Sequence, residues 1–540
     1  MSKRAASSDL VHRLLEEGGE VNETVEIAST SPARRNCMSD FWDLLVLSGP
    51  IFIVRVSWVI IKTTDTALIG NAAGTEFLAA SAASDLWTSS TGVFITASVL
   101  GTFCSQAIGA GNKKAAGAWL MTSDVLLSLV QIPVIVAWCC TGEVLKLFGM
   151  TEPLVGRAQY FAWVLALSIP VRVYFSNLTQ YFQAQSIMYP GTHCSIFAMV
   201  LNLALGLVLV CGIGVPDWDG YGFWACPWVT TVVEFLQLVV LWLVYCQIKK
   251  LHVECWPEGG WKNWRTHVTG WRLWEYTKLY VPAAFSIASD FWRMSVIGMI
   301  AASFGDEQLA VFNSSYRILW ISLTFVGSLS GAVSIKLGVA LGGGDTRLAR
   351  RYAAVGGAAA VVVLCVCGVL VIVFARQLGR IFGDDPEMLA SYEEIRYPLC
   401  AMLVLMNFSV YLEQIPMAMG RTGTIFWAGF LGSWAGQVPG VLFCTQSWRK
   451  DLVGLYTGAA AGYGLLCVIL LGIIGCTNWK KVAEEAFERA HGGAGESKKA
   501  DGLVGEEGEE YVSMSPTGDV MPSASSVVMI DEEQARARKV

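Results

Sequence analysis

The chain has 540 residues, 54% of them hydrophobic and only 15% charged. Soluble domains carry roughly 25% charged residues, so this composition, with a mean hydropathy of +0.50, excludes an ordinary soluble globule and indicates a polytopic membrane protein. The net charge of −6 resides mostly in acidic tails, and the scattered Lys and Arg exclude a nucleic-acid-binding surface.

Residues 1–38 are polar, with Glu16, Glu17, Glu20, Glu23 and Glu26, and lack the pattern of a cleavable signal peptide, so the first membrane helix is expected to direct insertion. Windows of about 20 apolar residues, the length a bilayer needs, then recur twelve times. The first runs from Trp42 to Ile61, with an extension to Ile69 that takes in Asp65. Next come 77–103, 115–140, 158–178 with Asn177, 188–211, and 224–248 with Glu234 and Gln237. The second half adds 276–303 with Asp290 and Arg293, 309–333 with Asn313, Arg317 and Trp320, 352–375, 397–417 with Asn407 and Glu413, 425–444 and 452–476. The predicted fold is an all-α integral membrane protein of twelve transmembrane helices in two pseudo-symmetric six-helix lobes. Its parts are a polar tail 1–39, an N-lobe 40–248, a loop 249–275, a C-lobe 276–476 and a tail 477–540, in which "NWKKVAEEAFERA" reads as a short helix before a disordered remainder. Ser515 before Pro516 is a candidate phosphosite in an otherwise solvated tail. Lys and Arg concentrate in one set of loops, from Lys113 and Lys114 to Arg347, Arg350, Arg351 and Arg421, and the positive-inside rule places these loops and both termini in the cytoplasm.

The halves repeat. "EVLKLFGMTEP" (143–153) matches "QLGRIFGDDPE" (377–387), "CSQAIGAGNKKAAG" (104–117) matches "LGVALGGGDTRLAR" (337–350), and Pro50 matches Pro282, at a common offset of 231 to 234 residues. Gly109, Gly111 and Gly342 to Gly344 suit positive φ at helix ends, with Asn112 and Asp345 capping the helices that follow. No nucleotide-binding GxxxxGK[ST] occurs. The fifteen Cys sit mostly inside apolar runs as small hydrophobes, and Cys365 and Cys367 point to different helix faces, so no metal site is expected.

A charged residue at mid-membrane costs about 2.5–3.5 kcal/mol, and such residues are usually retained for function. Asp290 and Arg293, one turn apart, are therefore either a titrating acid beside a base or a fixed ion pair. Asp65 has Lys62 one turn away as a neutralising partner. Glu234, read with Gln237, is either a central-cavity residue or a helix-facing polar contact, and Asn177, Gln180 and Gln183 are part of a polar face that either meets substrate or bridges helices. Trp292 and Trp320 are candidates to stack on a flat cation, whereas His193 is read as a packing residue. Two repeated bundles with a polar midplane suit alternating access, one lobe rocking against the other.

The sequence resembles the MATE (multidrug and toxic compound extrusion) transporters over about residues 40–476. "DTALIG" (65–70) with "CSQAIGAGNKK" resembles the family's first-lobe signature, and "SIKLGVALGGGDTRLAR" (334–350) its second-lobe pattern. "YFQAQ" (181–185) and "MAMGRTG" (417–423) fit the fourth and tenth spans, and "CWPEGGWKNW" resembles the eukaryotic branch. The resemblance implies an antiporter exporting organic solutes for protons, with sodium as the alternative ion and no cofactor. It makes Asp290, eight residues after Pro282 and followed by Phe291 and Trp292, the cation-coupling acid, and Asp65 the equivalent of the first-lobe acid. Asn313 falls at a polar position of the eighth span. Asn407 stands where many members carry an Asp, and Glu413 is the alternative acid two turns on. The expected partners are a small organic solute and the bilayer, with the chain acting as a monomer in the plasma or vacuolar membrane. Organic cations are the first expectation for the substrate. Arg55, Arg172, Arg293 and Arg317 keep open a related flippase or exporter of lipid-linked or anionic substrates. A membrane-embedded transferase is the minor alternative.

Overall fold

Without water to satisfy it, backbone inside a bilayer must form helices or closed barrels. A computed structural model of the chain is helical, with no strand among the described residues, which are 37–97, 99–383 and 385–492. The polar tail before residue 37, Asp384, Ser515 and the rest of the tail after residue 492 lie outside them.

Each predicted window is a helix. They are α1 (Cys37–Ala72), α2 in two segments (Thr75–Thr96, Leu100–Gly109), α3 (Lys113–Cys139), α4 in two segments (Leu154–Ala166, Ile169–Ala184), α5 (Tyr189–Leu209) and α6 (Cys226–Val240, continued by a π-helical Leu241–Ile248). The second half holds α7 (Gly270–Ala302), α8 (Asp306–Gly342), α9 (Thr346–Val373), α10 (Pro386–Ala418), α11 (Thr422–Phe430, a π-helical Leu431–Gln437, Val438–Ser447) and α12 (Leu452–Cys476), followed by the short α13 (Trp479–His491). Among the described residues nine helices are long and apolar enough to cross a membrane, ten with α4, whose segments meet at 43°. Of the remaining two, α7 is less apolar because of its polar and charged residues, and α11 is divided by its π turn.

The glycine-rich loops differ in part from expectation. Asn112 accepts from Ala115 N, and Asp385 caps α10 through Glu387 N. Asp345 accepts from the backbone N–H of Arg347 and Leu348. Only Gly111 and Gly344 take positive φ, at 80° and 76°. Gly109 and Gly342 instead permit contact between the ends of α2 and α8: a Cβ at Gly109 would lie 2.0 Å from Val339 O, and one at Gly342 would lie 2.1 Å from Gln106 O. The two repeats thus touch backbone to backbone on the side that carries the glycine-rich loops.

Two hydrophobic clusters follow the two halves of the chain, with one exchange between them. Leu44, Leu47 and Ile51 of α1 pack in the cluster built by α8 to α12, while Tyr276, Leu279 and Ala283 of α7 pack in the cluster of the first half. Each pair, Leu44 with Tyr276, Leu47 with Leu279 and Ile51 with Ala283, is 232 residues apart, so the exchange obeys the repeat.

On the glycine-loop side α13 lies across both halves. Arg489 donates Nε to Gln106 Oε1 (3.1 Å) and Nη2 to Met419 O (3.0 Å). Gln106 Nε2 donates to Ala418 O at 2.8 Å, and Asn112 Nδ2 to Ala490 O at 3.0 Å. Charge-assisted hydrogen bonds contribute about 1.5–3 kcal/mol. Arg489→Ala is therefore expected to loosen this closure, measured as faster labelling of a reporter cysteine at Ala110 by a membrane-impermeant thiol reagent. Unchanged labelling would show that α13 carries none of the closure.

Candidate functional site

Four helices of the second half, α7, α8, α10 and α12, enclose a cavity of about 190 Å³. Asp290 and Arg293 face it from one turn of α7, Tyr316 and Trp320 from α8, Glu413 from α10 and Tyr463 from α12. The placement follows helical spacing: residues three or four apart share a face, as do 290 with 293 and 316 with 320.

Arg293 is almost fully buried and held from two directions. Its Nη1 donates to Ser433 Oγ at 2.9 Å and its Nη2 to Tyr463 OH at 3.0 Å. Its guanidinium carbon lies 5.1 Å from the centre of the Tyr463 ring. Nη2 also stands 3.4 Å from Asp290 Oδ1. Ser433 lies in the π-helical stretch of α11, and Trp434 beside it donates Nε1 to Ser289 Oγ at 2.9 Å, so α11 clamps α7 at the depth of the pair. Glu413 lines the same cavity and makes no hydrogen bond or ion pair among the described residues. The site therefore contains two carboxyl groups and one fixed guanidinium. With both acids ionised it lacks one positive charge.

A lysine cannot reproduce the fork that Arg293 offers to Ser433, Tyr463 and Asp290. Arg293→Lys is expected to cost about 2 kcal/mol of stability through a lost charge-assisted hydrogen bond. The check is an earlier thermal transition in detergent, and a transition equal to wild type would refute the clamp.

The first half holds a second polar group. Asp65 of α1 is buried and accepts from Thr230 Oγ1 (2.8 Å) and Asn202 Nδ2 (3.2 Å). Lys62, the neighbour expected to neutralise Asp65, makes its ion pair with Asp85, at 3.9 Å, and lines the same small cavity as Asp65. The cavity beside Asp65 is about 10 Å³, too small for an organic solute. Asn177 of α4 donates to Asp124 Oδ1 of α3 at 2.8 Å. Glu234 pairs with Arg172 at 2.6 Å, whereas Gln237, its expected neighbour in function, donates to Ser195.

Other expectations separate. Trp320 lines the second-half cavity, but Trp292 lies off it and is 45% exposed; Phe291 takes the lining position. Asn313 is exposed and also off the cavity. Asn407 is fully buried off the cavity, and its Nδ2 donates to Leu403 O within its own helix. Gln180 binds Ser176 Oγ and Gly101 N, bridging α4 to α2, and Gln183 is half-buried without a hydrogen bond among the described residues. His193 Nδ1 is hydrogen-bonded to Tyr245 OH at 2.9 Å. All fifteen cysteines are free, and among the described residues no cluster suits a metal ion. Sequence reasoning missed Asp124, Tyr316, Ser433 and Tyr463. Asp124, an acid inside the third window, was open to the same rule that found Asp290; the neutral three carried no signal.

A twelve-helix membrane bundle built from two repeats, with acids enclosed by each repeat, defines a secondary transporter. The MatE family model matches residues 50–208 and again 282–441, and the chain belongs to this family of multidrug and toxic compound extrusion transporters. The two matches begin 232 residues apart, the offset of the core exchange. The chain is 24% identical to human multidrug and toxin extrusion protein 2 over 510 residues, covering 88% of this chain and 83% of that protein. It is 24% identical to Protein DETOXIFICATION 14 of Arabidopsis thaliana over 481 residues, covering 87% and 94%. In fold it is similar to the crystal structure of the eukaryotic MATE transporter AtDTX14, with a TM-score of 0.75 at 22% identity over 84% of this chain and 99% of that one. A MATE transporter in the bent conformation gives 0.73 at 16% identity, covering 83% and 98%. The protein is thus a multi-pass membrane transporter of the multidrug and toxin extrusion kind and not an enzyme, which removes the transferase alternative.

Proposed function

We propose that the protein exports organic solutes, organic cations first, in exchange for protons by alternating access, as a monomer with its glycine-loop side in the cytoplasm. The observation that carries this reading is the enclosed group of Asp290, Glu413 and Arg293. A site lacking one positive charge is neutralised by one proton on either carboxyl or by one monovalent organic cation. Both cannot be bound without leaving an excess positive charge beside the buried Arg293, which is costly where solvation is poor. Competition of this kind is what couples the two fluxes, since proton and substrate each favour the site in the other's absence. Tyr316 and Trp320 supply aromatic surface for a flat cation.

An anionic or lipid-linked substrate is less well served. Two of the arginines that would receive it are engaged, Arg172 by Glu234 and Arg293 by Asp290. Of the other two, Arg317 is exposed on α8 and Arg55 packs beside Gly327. The deciding experiment uses proteoliposomes: uptake of a fluorescent organic cation under an imposed pH gradient, under a sodium gradient, and as counterflow with neither. Uptake driven by the pH gradient supports the reading. Counterflow without a pH response refutes proton coupling, and a response to sodium alone replaces it.

A further inference from the structure

A second cavity belongs to no transport site. The glycine-loop ends of α9, α10 and α12 bound an open groove of about 420 Å³, within the roughly 300–1,000 Å³ of small-molecule sites. Ala353, Ala354 and Gly357 of α9 leave the space, and Phe408, Leu412 and Ile474 wall it. The groove is apolar along its length. Its one wall hydroxyl, Tyr411 OH, is spent on Ala353 O at 2.6 Å. The groove also opens sideways to the bilayer, because Ala354 and Leu471 on its rim are exposed on membrane-spanning helices.

The end of the groove is charged. Arg350, in the second turn of α9, lies over the ring of Trp479, the first residue of α13, at 5.5 Å. Lys480 and Lys481 follow Trp479 in the chain and Arg347 precedes Arg350 by one turn, but of these cations Arg350 alone lines the groove, Lys480 lining a neighbouring pocket against the glycine loops. None of these four cations has a carboxylate within ion-pair distance among the described residues, whereas Arg351 next to them is paired with Asp40. An apolar groove open to the bilayer and ending at an arginine without a carboxylate partner has the complement of an amphiphile with an anionic head. We propose that it is a binding site for an anionic diacyl phospholipid, one acyl chain lying along Gly357 and Phe408 and the phosphate received by Arg350. Basic pockets between helices at a membrane face hold such headgroups by the same charge complementarity, and Arg gives phosphate two parallel hydrogen bonds. Trp479 holds the guanidinium by its face and leaves those donors available. The bound lipid would tie α9 to the root of α13.

The test is native mass spectrometry of the full chain in detergent, with dioleoyl phosphatidylglycerol and dioleoyl phosphatidylcholine supplied together. Wild type is expected to retain one phosphatidylglycerol with about tenfold preference, the ratio that about 1.4 kcal/mol provides. Arg350→Gln should erase the preference, and Ala354→Phe, which fills the groove from an exposed position, should reduce retention of both lipids. Arg376→Gln, an exposed arginine paired with Glu393 elsewhere, should change neither. Equal retention of the two lipids by wild type would reduce the groove to ordinary bilayer contact and overturn the proposal. So would displacement of the lipid by inorganic phosphate, which would mean that the head is held without the chain. Should Arg350→Gln fail to fold, undiminished phosphatidylglycerol on Ala354→Phe would overturn it as well.

Discussion

Asp290→Asn and Glu413→Gln are each expected to yield a transporter that no longer responds to a pH gradient. Either change converts a site with two carboxyls and one guanidinium into one with a single carboxyl and the same guanidinium, neutral without a proton. The group that must load and release the proton is gone in one variant and left fully matched by Arg293 in the other. The same charge balance predicts a second loss. A unit charge 4 Å away is worth about 4 kcal/mol at a protein-like dielectric constant of 20, so affinity for an organic cation should fall by well over tenfold, while counterflow survives at high substrate concentration. The measurement is initial uptake in proteoliposomes against substrate concentration, with and without the gradient. If Asp290→Asn keeps its pH response and Glu413→Gln loses it, the proton belongs to Glu413 alone and Asp290 is the fixed partner of Arg293. If both keep it, the cavity is not the coupling site, and Asp65 becomes the next acid to replace.

Gly342→Ala should have an effect of similar size through a different route. The added Cβ would sit 2.1 Å from Gln106 O and 3.0 Å from Ala110 N. Both are backbone atoms of the opposing repeat and cannot rotate away as a side chain would, and tightly packed contacts tolerate little added volume. The variant is expected to fold, since the contact lies at a helix end, but to be driven out of the state closed on the glycine-loop side. Spin labels on Lys113 and Arg347 should then report a longer distance than in wild type, and net transport should fall by at least about tenfold, the equivalent of 1.4 kcal/mol against the closed state. An unchanged distance would mean that the ends of α2 and α8 separate without functional consequence. Gly111→Ala is the control: it strains a φ of 80° but meets nothing within 4 Å.

The helices were legible because bilayer length, apolar composition and the 231 to 234-residue repeat all point to the same twelve segments. Within the site, legibility followed cost. Asp290, Arg293 and Glu413 stand out in apolar windows because charge there is expensive, and the structure brings all three to one cavity. Partners were the weak point. Arg172 and Glu234 are 62 residues apart in the chain, and Arg293 and Tyr463 are 170 apart; neither spacing leaves a trace in a single sequence. Periodicity also misled: Asn177, Gln180 and Gln183 drift around α4, so the first two serve different neighbours and the third serves none among the described residues. Gly109 and Gly342 were read for backbone freedom when their use is absence of bulk, a distinction that only the opposing chain reveals.

The exchange of α1 and α7 between the two cores limits how the halves can move. Each half grips the front part of a helix whose remainder belongs to its neighbour, so the two cannot part without tearing a buried cluster. Relative rotation has to be taken up as bending inside those two helices. Pro50 lies between Leu47 and Ile51, and Pro282 between Leu279 and Ala283, so each proline sits inside the front part that the opposite half grips. A proline inside a helix has already given up the hydrogen bond that would resist bending. The molecule is thus laced by two crossed straps, each jointed within its gripped end, and the rocking that exchanges the open side can proceed with both straps fastened.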